Sequence, residues 1–248
     1  MRSLSNSELL NVWERGLSQS PMQRALTLLA AACAEISLDE LLNLSIGQRD
    51  GLLLALREIT FGSQLVSLAV CPMCGERLEF NFNVVDVRIP TVANLPQTLE
   101  LNLADYQVCF RLPNSLDLVA MWSANHTPQD IASLRHQLLQ RCTLKLQYQG
   151  QEESIEQIPT TILDAVVTQM AQADPQADIQ LNLVCPACQH QWCAIFDIVS
   201  FFWSEINTWA VRILREVHTL ASAYGWSETD ILAMSPLRRQ LYLEMVSA

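Results

Sequence analysis

Over residues 1–66 the apolar positions recur at steps of three and four, the period of helices with one buried face. Asn6-Ser7-Glu8 is placed to cap a segment running through Trp13. Ser20-Pro21 sets a cap residue before a proline, a favoured helix start, and Met22, Ala25, Leu26, Leu29 and Ala32 follow at helical intervals. Ser37-Leu38-Asp39-Glu40 opens a third helix with acids in its first turn, where the helix dipole favours them. A fourth is predicted over Ile46–Ile59, with Leu52, Leu53, Leu56 and Ile59 on one face and Gly62 as its stop.

From Gln64 the period shortens to two. Leu65–Val70 reads as a strand and Cys71-Pro72-Met73-Cys74-Gly75 as a turn. Leu78, Phe80, Phe82 and Val84 then alternate with Glu79, Asn81 and Asn83 as a half-buried strand. Residues 97–178 are predicted as a separate α+β unit, set off by Pro90 and Pro96. It holds a hairpin of Thr98–Leu103 and Tyr106–Leu112 around Ala104-Asp105, and a short helix from Asn114 to Ala124. A helix opened by Thr127-Pro128-Gln129-Asp130 runs to Cys142, followed by a strand over Thr143–Gln149 and a helix over Pro159–Ala173.

The two-residue period then returns in Ile179–Val184, in Cys185-Pro186-Ala187-Cys188, and in a strand through Trp192, Ala194, Phe196 and Ile198. Ser200–Tyr224 reads as a long helix, with Ile206, Ala210, Ile213, Val217, Leu220 and Tyr224 at alternating steps of four and three. Gly225 ends it, and Ser227 and Ser235-Pro236 open two short helices. Leu232, Met234, Leu241 and Met245 are expected to pack, with Arg238 and Arg239 on the exposed face of the last helix.

A shift of 114 residues lays Val70-Cys71-Pro72-Met73-Cys74 on Val184-Cys185-Pro186-Ala187-Cys188, and Phe82, Val84 and Val85 on Phe196, Ile198 and Val199. Each copy is strand, Cys-Pro-x-Cys knuckle, strand. Two such halves make a zinc ribbon, because two residues between cysteines let both sulfurs reach one ion at about 2.3 Å, and two knuckles supply four thiolates. Cys71, Cys74, Cys185 and Cys188 are therefore the expected ligands of a structural Zn2+. The alternative is four reduced thiols in two turns. The 110 residues between Cys74 and Cys185 add only modest closure entropy, which grows with the logarithm of loop length.

Composition and charge narrow the chemistry. The 248 residues carry a net charge of −11, and Lys145 is the only lysine among 15 basic residues, which disfavours nucleic acid as the partner. No apolar run approaches the ~18–20 residues that span a bilayer, and no signal-peptide core is visible. A cytoplasmic setting follows as an expectation, with Cys33, Cys109, Cys142 and Cys193 as buried thiols and not disulfides. A redox pair would sit at a helix start, whereas each knuckle here precedes an alternating strand. A catalytic zinc would keep an open position, which four thiolates close. None of His126, His136, His190 and His218 makes a His-x-Glu deaminase signature, and His190 is read as a turn residue. Gly-x-Ser-x-Gly and a glycine-rich phosphate loop are both absent. Asp39-Glu40 and Glu152-Glu153 suit a helix start and a turn, and Trp203 and Trp209 suit packing.

The stretch from Gln48-Arg49-Asp50-Gly51-Leu52-Leu53-Leu54 through Leu56-Arg57-Glu58-Ile59-Thr60-Phe61-Gly62 to the first knuckle resembles the T4-type phage baseplate protein family. So does the ending, Ala223-Tyr224-Gly225-Trp226-Ser227-Glu228, Ile231-Leu232, Arg238-Arg239-Gln240 and Leu241-Tyr242-Leu243. The resemblance implies a non-enzymatic hub or assembly component of a contractile injection system or phage-like tail. Its implied partners are other baseplate proteins (hub, spike, inner tube or wedge), with no nucleic acid, membrane insertion or small-molecule substrate. The paired cysteines are not universal in the family, so zinc rests on spacing.

The expected fold is α+β. A helical N-terminal region (residues 1–66) precedes a split four-cysteine zinc ribbon (67–90 and 179–199) around an inserted α+β unit (91–178), and a C-terminal helical segment (200–248) follows. The alternative functions are a cytosolic zinc-ribbon adaptor in another complex and, further off, a metalloenzyme.

Overall fold

Serine caps set the first helices. Ser5, Ser20, Ser37 and Ser45 each accept the backbone N–H three residues on, and Glu8, Gln23, Glu40 and Gln48 return the bond to the cap's own N–H. They start α1 (Asn6–Gly16), α2 (Pro21–Ala32), α3 (Leu38–Asn43) and α4 (Ile46–Phe61). The cap of α1 is thus Ser5, one residue before the expected Asn6, and the helix continues past Trp13 to Gly16.

The computed structural model describes residues 1–90, 96–124 and 130–247, with the side chains of 122–124 and 247 left aside. After α4 come β1 (Gln64–Val70), β2 (Arg77–Asn83), the one-turn α5 (Val84–Val87), β3 (Leu99–Leu103) and β4 (Tyr106–Phe110). Next are α6 (Ser115–Ala124), α7 (Ile131–Cys142), β5 (Thr143–Tyr148), β6 (Gln151–Glu152) and α8 (Thr160–Ala173). β7 (Ile179–Val184), β8 (Gln191–Phe196), α9 (Ile198–Tyr224), α10 (Glu228–Ala233) and α11 (Pro236–Ser247) complete the chain. The fold is mixed α+β: among the described residues, the helices accompany three small antiparallel sheets, ordered β1-β2, β3-β4-β5-β6 and β7-β8.

The chain divides into two compact units, Met1–Ile36 with Asp197–Ala248, and Ser37–Phe196. The division passes through the expected helical region of residues 1–66 at Ile36.

In the first unit α9 is the central element. Phe202, Ile206, Ala210, Ile213 and Leu220 are buried along one face, and α1, α2, α10 and α11 pack against the helix. Trp203 and Trp209 are buried as well. Tyr224, expected on the same seam, is 38% exposed. In α11, Leu241 and Met245 are exposed while Arg239 is only 4% exposed. This corrects the reading of that helix. Its buried face carries Arg239, whose Nε donates to Glu216 at 3.0 Å and whose Nη1 donates to the Met234 carbonyl at 2.6 Å, so the buried cation is paired. Arg238 stays outside, over the Tyr242 ring.

In the second unit the inserted residues build their own core. Val108 and Phe110 of β4, Leu139 and Cys142 of α7, and Leu146 of β5 meet Ile162, Val166 and Met170 of α8. The β3–β4 hairpin turns at Ala104 and Asp105, both at positive φ, as the two-residue turn requires. The Asp117 carboxylate is fully buried and gripped by both Arg111 terminal nitrogens at 2.6 and 2.8 Å and by Arg141 Nε at 3.1 Å. Burial would raise its pKa, but these arginines and the Asn114 N–H outweigh it and hold the group below the usual carboxylate range. Thr127, Pro128 and Gln129 lie outside the described residues, and Asp130 caps α7.

The repeat runs further than the knuckles. The shift of 114 residues also carries the start of α4 at Ile46 onto the start of α8 at Thr160, and α5 onto the start of α9. Each copy is helix, hairpin, helix. Val84 and Ile198, expected as the last strand residues, both begin helices, capped by Asn83 and Asp197. The copies meet at Gly47 in α4, whose N–H donates to the buried Asp174 carboxylate at 2.9 Å. A Cβ at Gly47 would lie 2.0 Å from an Asp174 oxygen, so only glycine admits this approach. Gln176 fastens the exit of α5, accepting from Ile89 N–H at 2.7 Å and donating to the Val87 carbonyl at 3.2 Å. In α4 the buried face is Leu53, Leu54 and Leu56, while Ile59, expected there, is 48% exposed.

Candidate metal centre

Each knuckle is a reverse turn closed by its own backbone. In the first, Cys71 N–H donates to the Glu76 carbonyl at 2.8 Å and Gly75 N–H to the Cys71 carbonyl at 2.9 Å. In the second, Cys185 N–H donates to His190 and Gln189 N–H to Cys185, both at 2.9 Å. The turns correspond residue for residue under the same shift. Both need a left-handed residue at the fifth position, filled by Gly75 (φ +77°) and by Gln189 (φ +60°).

The hairpins bring the knuckles together. Phe82 of β2 meets Phe196 of β8 edge to face at 5.4 Å between centroids, and Leu65 of β1 is fully buried. Cys71 Sγ lies 3.7 Å from Cys188 Sγ, and Cys74 Sγ 3.6 Å from Cys185 Sγ. All four sulfurs fall within 4.8 Å of one another, so the cluster could hold a metal ion. Cys71 and Cys185 are buried; Cys74 and Cys188 are exposed.

The donor set fits a tetrahedral ion. Sulfurs at about 2.3 Å from a centre stand roughly 3.8 Å apart, close to the separations here. The electrostatics point the same way. Burial raises the Cys71 thiol, yet the Cys74 and Met73 amides and the Cys188 and Cys74 thiols bring it down to about 7. The Glu76 amide draws Cys74 down, but the Cys188, Cys185 and Cys71 sulfurs with burial push it up to about 12. The cluster favours a thiolate at Cys71 while its sulfurs disfavour one at Cys74, a repulsion that a bound cation would relieve.

The other cysteines separate. Cys33 and Cys142 are buried as expected, and burial beside the Asp117 carboxylate pushes Cys142 up to about 12, an inert thiol. Cys109 is half-buried and Cys193 is exposed, which corrects their reading as core thiols: Cys193 lies on the outward face of β8. His190 closes the second turn through its carbonyl, and its ring stacks on Trp192 at 6.2 Å. Asp174 and Gln176 carry no local signal in the sequence, because their partners are backbone groups about 90 to 130 positions away. Gln189 does carry one, since the repeat lays it on Gly75.

No described helix is long and apolar enough to cross a membrane. Neither a curated protein nor a solved structure matches the chain. A family model does, over residues 5–203, a span that takes in both knuckles and the whole inserted unit. The chain belongs to the T4 bacteriophage base plate protein family.

Proposed function

We propose that the protein is a non-enzymatic structural or assembly component of the baseplate of a contractile injection system or phage-like tail. It works through contacts with other baseplate proteins and is stabilised by one structural zinc on Cys71, Cys74, Cys185 and Cys188. The family match carries the assembly reading. The sulfur geometry supports the zinc, because four thiolates close the coordination shell and leave no position for substrate. In this reading the ribbon halves at 67–90 and 179–199 clasp the inserted unit at 91–178, and the protein resides in the cytoplasm and then in the assembled particle.

Two measurements test the two parts separately. Particles purified from producing cells should contain the chain in fixed ratio to the tube protein; particles complete without it, at every assembly stage, would remove the assembly role. Elemental analysis of freshly isolated protein should give about one zinc per chain, and less than about half an equivalent of any metal would remove the zinc.

A further inference from the structure

The two hairpins are copies of one design, so each is a control for the other. In β1 the outward side chains are Val66, Leu68 and Val70, exposed by 50, 74 and 60%. Their counterparts in β7 are Gln180, Asn182 and Val184. The fold tolerates polar residues on that face in one copy, so the apolar stripe of the other is not demanded by folding.

The same three residues carry the free backbone. Val84 N–H donates to Ser63 and Cys71 N–H to Glu76, which fixes the odd-numbered residues of β1 as the ones bonded to β2. The N–H and C=O groups of Val66, Leu68 and Val70 therefore point away from β2. Among the described residues no strand pairs with that edge. Across the hairpin on the same face stand Asn81, Glu79 and Arg77, one charge of each sign, so the edge suits an uncharged partner.

We propose that the free edge of β1 takes up an extended segment of a neighbouring baseplate subunit, which adds as a strand with an apolar residue at every second position. This rests on the assembly role proposed above. Backbone pairing would supply affinity, and Val66, Leu68 and Val70 would select the alternation. A second copy of this chain is the weaker occupant. One strand edge and three side chains bury well under the ~1,200 Å² of a free-standing specific complex. A segment delivered by a subunit already held in the particle needs less area, because tethering raises its effective concentration.

The test uses the full chain, free and in purified particles. Hydrogen exchange of the β1 amides at Val66, Leu68 and Val70 should slow by about tenfold or more in particles, with the equivalent β7 amides unchanged. Leu68→Pro removes an outward N–H and no ladder bond, so it should fold and fail to incorporate, while Asn182→Pro should incorporate normally. If Leu68→Pro does not fold, Leu68→Lys replaces it. Wild-type chain absent from particles at every stage of assembly would overturn the assembly role itself. Wild-type chain present with β1 amides still exchanging freely would overturn only the docking. A solution dimer lost in Leu68→Pro would assign the edge to a second copy and overturn the choice of neighbour.

Discussion

Gln189 holds a backbone conformation, φ +60°, that its counterpart Gly75 holds without a Cβ. A left-handed non-glycine residue costs about 1–2 kcal/mol, partly offset by the lower unfolded-state entropy that any side chain confers. Gln189→Gly should therefore stabilise the second knuckle by about 0.5–1 kcal/mol, and Gly75→Gln should destabilise the first by a similar amount. No atom lies within 4 Å of a Cβ placed at Gly75, so the cost there is conformational and not steric. Urea midpoints of the two variants, measured with zinc supplied, check both signs. Equal and opposite shifts would show the turns to be as equivalent in energy as they are in shape.

At the scale of elements, α11 changes the most between pattern and structure. Its two adjacent arginines look alike in sequence, yet Arg239 is bonded to Glu216 in α9 and to the Met234 carbonyl, while Arg238 faces outward over Tyr242. Arg239→Glu should cost about 2–4 kcal/mol by setting two carboxylates together under α11. Arg238→Glu should stay within about 0.5 kcal/mol of wild type, and thermal denaturation of the isolated chain distinguishes them. The capped starts of α2 and α3, the start of α4 at Ile46, the turn at Ala104-Asp105 and the four clustered cysteines were all legible, because each is written in neighbouring residues; the Ser45 cap of α4 was not read. The burial of Arg239 and the grip of Asp174 on Gly47 were not. Each is decided by what tertiary packing brings opposite, and a local pattern carries no record of it. The ends of β2 and β8 failed for a related reason: Val84 and Ile198 keep the apolar alternation, but the chain turns into a helix there, with Asp86 accepting from the Asn83 N–H and Asp197 accepting from the Val199 N–H.

For the whole molecule, two compact units imply two responses to loss of the proposed zinc. The knuckles lie entirely within Ser37–Phe196, which also owns the core around Phe110 and Val166. Structural zinc contributes about 10–16 kcal/mol in small fingers, and losing even about 4 kcal/mol of that lowers the Tm of a unit this size by roughly 10 °C. Chelation should therefore bring forward a transition seen at Trp192. Trp13, Trp203 and Trp209 belong to the helical unit, and the transition they report should move much less. Single-tryptophan variants followed by fluorescence, with and without chelator, separate the two. A joint shift of both would mean that the units melt as one.

The distance along the chain between the knuckles also sets a timetable. Cys71 and Cys74 leave the ribosome 114 and 111 residues before Cys185, an interval of roughly 5–20 s at ordinary rates of synthesis. Throughout it the first turn offers two sulfurs and no complement, the aromatic face around Phe82 has nothing to rest on, and the inserted strands and helices are completed one after another. The second knuckle then arrives to complete the cluster, so the nascent protein passes through a stage in which only half of the proposed metal site exists.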